Sequence, residues 1–549
     1  MDEQFFKKAL FGAALGLLAG LAVILVTQVL LPVAFNNFEA KIFDLRYLYK
    51  ARVLETQRQG AAIEEIIIID IDNRSLEKLG PYSQWPRSRH ASLIDYLQAS
   101  ETACIVFDIL FMERDTEPMQ DSRLINSTRS AQHVVHALAF SDADADAFLY
   151  KMNAPPPGFQ ADHFTLSLPT TTVMALDSVD RFDGKLMELY NSSAGLGFVN
   201  FLPDEDGVIR EMPLFLNFAG RAYPSLALAA VMQFHGIGGK DVQVELGREV
   251  RLRTRVPQQK MLRIPIDERG RMVINYMGYW KTFRYLSYYD VVEQRVPAEM
   301  FKGKIVLVGT SVAGLFDLRP VPFQTQFPGV EVHANIIYNI LEQDFITKQP
   351  GGFSVAAMLI FAMIAGVITM IWSPWLGIVL TIVISAGYSA LSWWFFVTHN
   401  AWIPVVQPLL AFGVAFLSVL MYRFLSEKRE KLIIKNMFVH YTSEIVVNEL
   451  LRNPSLLQLG GARKYATAFF SDIKNFTTLS ESMTPEELIT QLNEYLSAMT
   501  DIVLAYGGYL DKYEGDAVVA VFGVPVDQID HAERACFAAL DMQRALAKL

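Results

Sequence analysis

The chain has 549 residues, 52% hydrophobic and only 19% charged, with a formal net charge of −10. That length allows several domains, and so oily a composition excludes an ordinary soluble protein and points to membrane spans. The acidic balance excludes a nucleic-acid binder, which would show a basic footprint, and the two cysteines, Cys104 and Cys536, lie too far apart in sequence to suggest a disulfide framework or a Cys-rich zinc site.

Residues 1–8 form a short N-terminal stretch ending in Lys7-Lys8, and residues 9–31 are apolar apart from Gln28. The run suits a spanning helix of about 20 residues. The competing reading, a cleaved signal peptide, fits less well: the run is long for such a segment and no small-residue cleavage site follows cleanly. From 36 to 350 the composition is that of a globular domain. Its apolar runs Glu65–Asp70, Ala103–Asp108 and Lys304–Gly309 are unbroken rather than alternating, the pattern of strands buried on both faces. They predict an α/β domain with a central, largely parallel or mixed sheet. Asp70, Asp72, Asp108 and Thr310 stand where these runs end. Ligands of open α/β sheets bind outside the carboxyl ends of strands, so the four form a candidate crevice; alternatively the acids cap helices or close turns. His90 and His333 have no second His or Cys at metal-ligand spacing and are expected to be structural.

Three more apolar runs follow, 353–372, 375–397 and 402–424, with Trp372, Trp375, Trp393, Trp394 and Trp402 at their ends as an aromatic belt requires. Four transmembrane helices in all put both termini on one side. Residues 425–461 turn polar and helix-prone, a linker. Leu425, Leu432, Val439 and Val446 recur every seven residues there, which suits helix pairing across a dimer or an ordinary amphipathic helix. Asn453-Pro454 stops it and Gly460-Gly461 turns the chain.

The segment 462–549 holds an apolar run ending in an acid, Ala466–Asp472, and a Gly507-Gly508 hairpin with a second acid, Asp516, at its tip. Between them Thr484-Pro485-Glu486-Glu487 starts a helix with Leu488, Leu492, Tyr495, Leu496, Met499 and Val503 on one face. Asp530 and Glu533 read as a capping box for a last helix. The order β-α-β-β-α opens a ferredoxin-like α+β split fold. If the hairpin pairs beside the first strand, Asp472 and Asp516 meet at one end of the sheet. Two such acids cannot both ionise cheaply without a cation between them. A pair of magnesium (or manganese) ions would resolve this and would suit in-line displacement at phosphorus. The alternative is that Asp472 caps a helix and Asp516 fills a turn.

Two resemblances follow from longer phrases. Phe43-Asp44-Leu45-Arg46, Trp85-Pro86-Arg87-Ser88-Arg89-His90-Ala91, Phe107-Asp108-Ile109-Leu110-Phe111, Pro203–Arg210, Val308-Gly309-Thr310-Ser311 and Pro328–Asn335 resemble the second class of CHASE sensor domain, an extracytoplasmic module of bacterial receptors. Phe470–Glu481, Lys512–Ala520 and the approach Tyr441–Gly461 resemble the class III nucleotidyl cyclases. The second resemblance implies that the catalytic acids Asp472 and Asp516, with the Ile473 carbonyl, bind two metals. It also implies that the backbone of Asn475, Phe476 and Thr477 cradles the triphosphate. Asn475 stands where that family usually has Gly, and Asn tolerates the left-handed backbone better than most residues. Lys512 matches the lysine with which adenylyl cyclases read adenine, where guanylyl cyclases usually carry an acid. An ammonium donates to adenine N1, whereas guanine presents a donor at that edge.

The implied reaction is attack of the ribose 3′-hydroxyl on the α-phosphate of ATP, giving cyclic AMP and pyrophosphate. The family's site forms between two domains, so a second copy is an expected partner. ATP is cytosolic, so helix parity places 36–350 outside, in a multi-pass inner-membrane protein bathed in lipid and facing an unknown signal. Lys41, Arg46, Lys50 and Arg52 after the first span outnumber Lys7 and Lys8, against the usual charge bias, but long domains translocate regardless of it. The resemblance expects the catalytic domain to continue past Leu549 with an acid partner for the lysine, an Asn and a transition-state Arg. The rival readings are a receptor whose cyclase-like part only dimerises or scaffolds, a guanylate cyclase, and a diguanylate cyclase. Lys512 speaks against the guanylate cyclase, and the turn Glu514-Gly515-Asp516-Ala517 against the diguanylate cyclase.

Overall fold

The computed structural model describes residues 3–58, 61–141, 154–255, 259–312, 318–439 and 463–548. The chain forms two compact units, Met1–Ser418 and Val419–Leu549.

The first unit opens with α1 (Glu3–Ile24), a π-helical turn over Leu25–Leu30, and α2 (Pro32–Arg58). A seven-stranded sheet follows, built from β1 (Ile63–Ile71), β2 (Cys104–Phe107), β3 (Val134–Ser141), β4 (Arg181–Asp183), β5 (Gly195–Phe198), β6 (Phe283–Ser287) and β7 (Ile305–Thr310). Its order is β6-β1-β7-β2-β3-β4, with β5 also on β3, and every pairing is parallel except β3 with β4. The three unbroken apolar runs are thus the neighbours β1, β7 and β2, in register Ile68↔Leu307↔Val106. All three residues are fully buried, which is why their sequences carry no polar alternation.

The strand-end acids mostly serve the backbone. Asp70 accepts the N–H and hydroxyl of Ser311 at 2.8 and 2.6 Å. Asp72 caps the helix Asn73–Leu79 through the Ser75 N–H, and Thr310 donates to the Ile71 carbonyl. His90 is buried against the Tyr288 hydroxyl at 2.8 Å, and burial pulls it down to about 3, so it stays neutral. His333 is likewise buried and brought to about 3.

The long-range polar contacts tie the stalk helix α2 to this domain. Arg210, 1% exposed, takes Asp44 in a two-pronged grip at 2.8 and 2.7 Å, with Asp204 at 2.6 Å and Asp206 at 2.8 Å. Removing one partner of such a buried cluster leaves an uncompensated charge. On α3 (Gly329–Glu342), Glu331 accepts the N–H groups of Lys281 and Thr282 and the Tyr285 hydroxyl at 2.9–3.1 Å.

Beyond α3 come β8 (Thr347–Lys348), α4 (Gly351–Ile371), α5 (Pro374–His399), β9 (Ala401–Trp402) and α6 (Val406–Val439). Four helices are long and apolar enough to cross a membrane: Glu3–Leu30, Gly351–Ile371, Pro374–His399 and Val406–Arg429. The last starts four residues later than the expected 402, because Ala401 and Trp402 pair as a strand with Thr347 and Lys348. Helices α1 and α4 meet backbone to backbone. A Cβ on Gly16 would stand 2.2 Å from the Ala362 oxygen, and one on Gly366 2.1 Å from the Gly12 oxygen, the close approach that small residues permit. Linker residues 440–461 lie outside the described residues; α6 carries exposed Leu425 and Leu432 on its way to Val439.

The second unit has a three-stranded antiparallel sheet in the order β10-β12-β11, from β10 (Thr467–Ser471), β11 (Tyr509–Glu514) and β12 (Ala517–Phe522). Helices α7 (Phe476–Glu481), α8 (Pro485–Ala505) and α9 (His531–Leu546) complete it. Met499 and Val503 of α8 and Ala535, Ala538 and Met542 of α9 pack on Leu510, Val518, Ala520 and Phe522. α8 starts at Thr484-Pro485 as expected, and Glu487 closes a capping box with Thr484 there. The capping box expected at Asp530 and Glu533 does not form: the Asp530 backbone, at φ −100° and ψ 21°, is not extended as a cap residue's is, and its carboxylate pairs with Arg534 at 2.8 Å.

Burial, offset in part by the Lys281 N–H, the Tyr285 hydroxyl and the Thr282 N–H, pushes Glu331 up to about 7, and burial raises Asp70 to about 6. Each carboxyl holds its proton more tightly folded than unfolded. Their stabilisation is therefore complete below about pH 4 and is lost as pH rises through about 6 to 7. Thermal unfolding followed by tryptophan fluorescence should show the first unit losing stability between about pH 4 and pH 7 and levelling off above that. Glu331→Gln should remove the larger part of that slope, a contribution on the order of 3 kcal/mol.

Candidate active site

The register places the two acids. Ser471 pairs with Val518 and Glu514 with Ala517, so Asp472, one residue past β10, and Asp516, one before β12, come to the same end of the sheet. Gly515, at φ +66°, makes the tight turn that presents Asp516. One Asp516 oxygen, Oδ2, accepts the Ile473 N–H at 3.1 Å. The carboxylate therefore stands against the peptide that joins Asp472 to Ile473.

From there the chain makes a turn closed by the Phe476 N–H on the Ile473 carbonyl at 3.2 Å. A carbonyl oxygen keeps a second lone pair for another partner. Asn475 sits in the left-handed region, φ 60° and ψ 29°, and its carbonyl accepts the N–H groups of Thr478 and Leu479. This is the position at which the resemblance expects Gly, and Asn fills it. Phe476 and Thr477 are the first two residues of α7.

Lys512 reaches its place through a β-bulge. Leu510 pairs with Ala520 but Lys512 with Val519, so Asp511 is an extra residue. The bulge keeps Leu510 and Tyr513 on the helix-covered side and turns Lys512 to the open side, in the row of Val519 and exposed Phe470. Its ammonium lies 3.5 Å from Glu514 and 3.8 Å from Asp511, with the side chain 57% exposed. It makes neither ion pair nor hydrogen bond with Asp472 or Asp516: three rows of strand, roughly 10 Å, separate it from the turn.

Sequence reasoning missed α7 and two bonds that fix the frame. Tyr513 and Thr500 join their hydroxyls at 2.8 Å, which ties β11 to α8, and Thr467 meets His531 at 2.6 Å. Ile473, Phe476 and Leu479 face Leu488, Leu492 and Tyr495 of α8 across an apolar groove of about 140 Å³. Among the described residues no three His, Cys, Asp or Glu side chains gather as a metal cluster. The oxygen donors at this site are the two acids and the Ile473 carbonyl.

Comparison with known proteins agrees with both resemblances. A family model described as CHASE2 domain matches residues 18–371, and one described as adenylate and guanylate cyclase catalytic domain matches residues 462–549. Adenylate cyclase 1 of Rhizobium meliloti (strain 1021) is 40% identical over 84 residues, 15% of this chain and 13% of that protein. The adenylate cyclase of Anabaena cylindrica is 38% identical over 93 residues, 17% of this chain and 18% of that one. Among solved structures, the adenylyl cyclase CyaB from P. aeruginosa is 42% identical over 16% of this chain and 46% of that chain, with a TM-score of 0.16. The chain thus spans less than a fifth of the length of these two curated relatives.

The left-handed backbone at Asn475 gives a local test. Asn475→Gly should leave the thermal unfolding of the full chain within a few tenths of a kcal/mol, whereas Asn475→Val, β-branched at positive φ, should cost about 1–2 kcal/mol.

Proposed function

Because the chain belongs to the CHASE2 family and carries an adenylate and guanylate cyclase catalytic domain at its C-terminus, we propose that it is a sensor-regulated adenylate cyclase that turns ATP into cyclic AMP and pyrophosphate. The observation that carries this reading is the Asp516–Ile473 hydrogen bond, which brings the hairpin tip to the strand end.

Asp472, Asp516 and the Ile473 carbonyl are hard oxygen donors, the set magnesium or manganese prefers. Asp516 has Oδ1 to spare once Oδ2 is taken by the backbone. Two such ions, when bound, lower the pKa of the attacking hydroxyl and neutralise the leaving phosphates. The chain's own groups do the positioning. The Ile473 N–H fixes the Asp516 carboxylate, and the turn through Asn475, Phe476 and Thr477 lays backbone beside the acids where a triphosphate would lie. Lys512 supplies a donor for adenine N1. Its distance from the acids of its own copy fits a site completed by a second copy, with acids from one and lysine from the other.

In this reading the four apolar helices cross the inner membrane, among its lipids. The sheet domain faces outward to an unidentified signal and the cyclase domain faces the cytosol, where ATP is.

The test is turnover by the purified full-length protein with ATP and with GTP, each with magnesium and with manganese. ATP should be preferred, and Asp472→Ala or Asp516→Ala should lower metal-dependent turnover at least about 100-fold. Unchanged activity in Asp516→Ala would remove the metal assignment. Lys512→Glu should narrow the ATP-over-GTP preference by about tenfold, without a clean switch because base recognition is shared with the partner acid.

A further inference from the structure

The segment Asn400–Val406 joins α5 to α6, and it is held rather than left as a loop. Its grip comes from one stripe of α2. Glu39 Oε2 accepts the N–H of Val405 at 3.0 Å and of Val406 at 2.9 Å, the residues on which α6 begins. Those are helix-start donors with no partner in their own helix, and a carboxylate is the favoured group there. Two turns along, Arg46, 1% exposed, donates to the Ile403 carbonyl at 3.0 Å and stands 3.6 Å from the other Glu39 oxygen. One turn further, Lys50 donates to the side-chain oxygens of Asn400 at 2.5 Å and Asn275 at 2.6 Å, and the amide N–H groups of both asparagines donate to Asp344. Between Glu39 and Arg46, Phe43 stacks on Trp402 with ring centres 4.0 Å apart. Trp402 is also stitched to Lys348 in the short parallel pair.

The Glu39 bonds hold the start of one particular helix, and the Arg46 and Lys50 bonds hold the segment that leads into it and tie that segment to the domain. α6 is continuous for 34 residues, Val406–Val439, about 51 Å of helix. Among the described residues it is the element that runs from the first unit into the second. Packed interiors switch between discrete arrangements rather than deforming smoothly, so a moving joint needs space. Here a cavity of about 510 Å³ opens beside Glu39, Trp402 and Gln407. Gln407, in the first turn of α6, takes hydrogen bonds from Gln28 at 2.8 Å and Ser354 at 3.0 Å, so the other helix ends also meet it there.

We propose that Glu39, Arg46 and Lys50 form a latch through which the sheet domain sets the position of α6, so that a signal shifting α2 moves the start of α6 with it. These are positioning residues. The proposal rests on the cyclase reading only for its enzymatic output.

The experiment uses the full-length protein in lipid nanodiscs with three readouts: hydrogen exchange of the segment 400–410, nucleotide turnover, and the emission of an environment-sensitive dye on Leu425→Cys with the exposed Cys536 changed to serine. Glu39→Ala should speed exchange of the segment about tenfold or more, the effect of losing two charge-assisted hydrogen bonds. It should also change basal turnover at least about fivefold in either direction and shift the dye. Val406→Pro is the second variant. It removes one donor from the latch at a helix position where proline is tolerated, leaves α2 untouched, and should give the same changes at smaller size. Arg52→Ala, on the exposed side of α2, should alter none of the three. Unchanged exchange in both variants would overturn the latch. Loosened exchange with unchanged turnover and an unmoved dye would overturn its role in signalling. If the unmodified protein turns over no nucleotide, the cyclase reading fails, and the dye alone decides the latch.

Discussion

The chemistry proposed for this chain depends on a single hydrogen bond, from the Ile473 N–H to the Asp516 carboxylate. Without it the register would still bring the strand-end acid and the hairpin-tip acid to one end of the sheet, but nothing would hold the Asp516 carboxylate toward the strand. With it, Asp516 is fixed by the backbone beside Asp472. The residues around it serve that placement: the antiparallel register sets the height, Gly515 makes the turn, and Asn475 lets the chain leave the strand in a left-handed step. Asp472 stays exposed and Asp516 half-buried, within reach of solvent.

The first unit uses polar residues differently. Its distinctive phrases are spent on architecture: Asp44 and the Asp204–Arg210 stretch meet in one buried ion cluster, Glu331 closes the turn ahead of β6, and Ser311 locks Asp70. Buried ion pairs add little net stability over an apolar core, but they are costly to break and specify one arrangement. The stalk helix α2 is where they concentrate, and it is joined to the domain by Asp44 and to the start of α6 by Glu39. In the latch proposed above, this is the frame that would carry a displacement of α2 to the start of α6.

Much of the fold was legible because burial on both faces leaves a plain signature. The runs ending at Asp70, Asp108 and Gly309 are adjacent parallel strands, and the apolar stretches are helices within a few residues of their expected limits. Asn475 was legible too, since few residues tolerate positive φ. What could not be read depends on partners distant in sequence. Trp402 looks like a span end because its ring suits a membrane interface as well as a strand pair. The bulge at Asp511 exists only relative to β12, so the outward turn of Lys512 has no local signal. Glu39 finds Val405, and Arg210 finds Asp44, across stretches with no periodicity to announce them. Asp530 had the right spacing for a capping box, but its backbone angles, set by the turn before it, aim the carboxylate elsewhere.

The central claim is that Asp472 and Asp516 share divalent cations, and ion counting tests it without reference to turnover. Manganese binding to the full-length protein, followed by electron paramagnetic resonance with a non-hydrolysable ATP analogue present, should show two ions per bound nucleotide. The count should drop to what the nucleotide alone carries when both acids are changed to asparagine. An identical count in the unmodified and doubly substituted proteins would contradict the account.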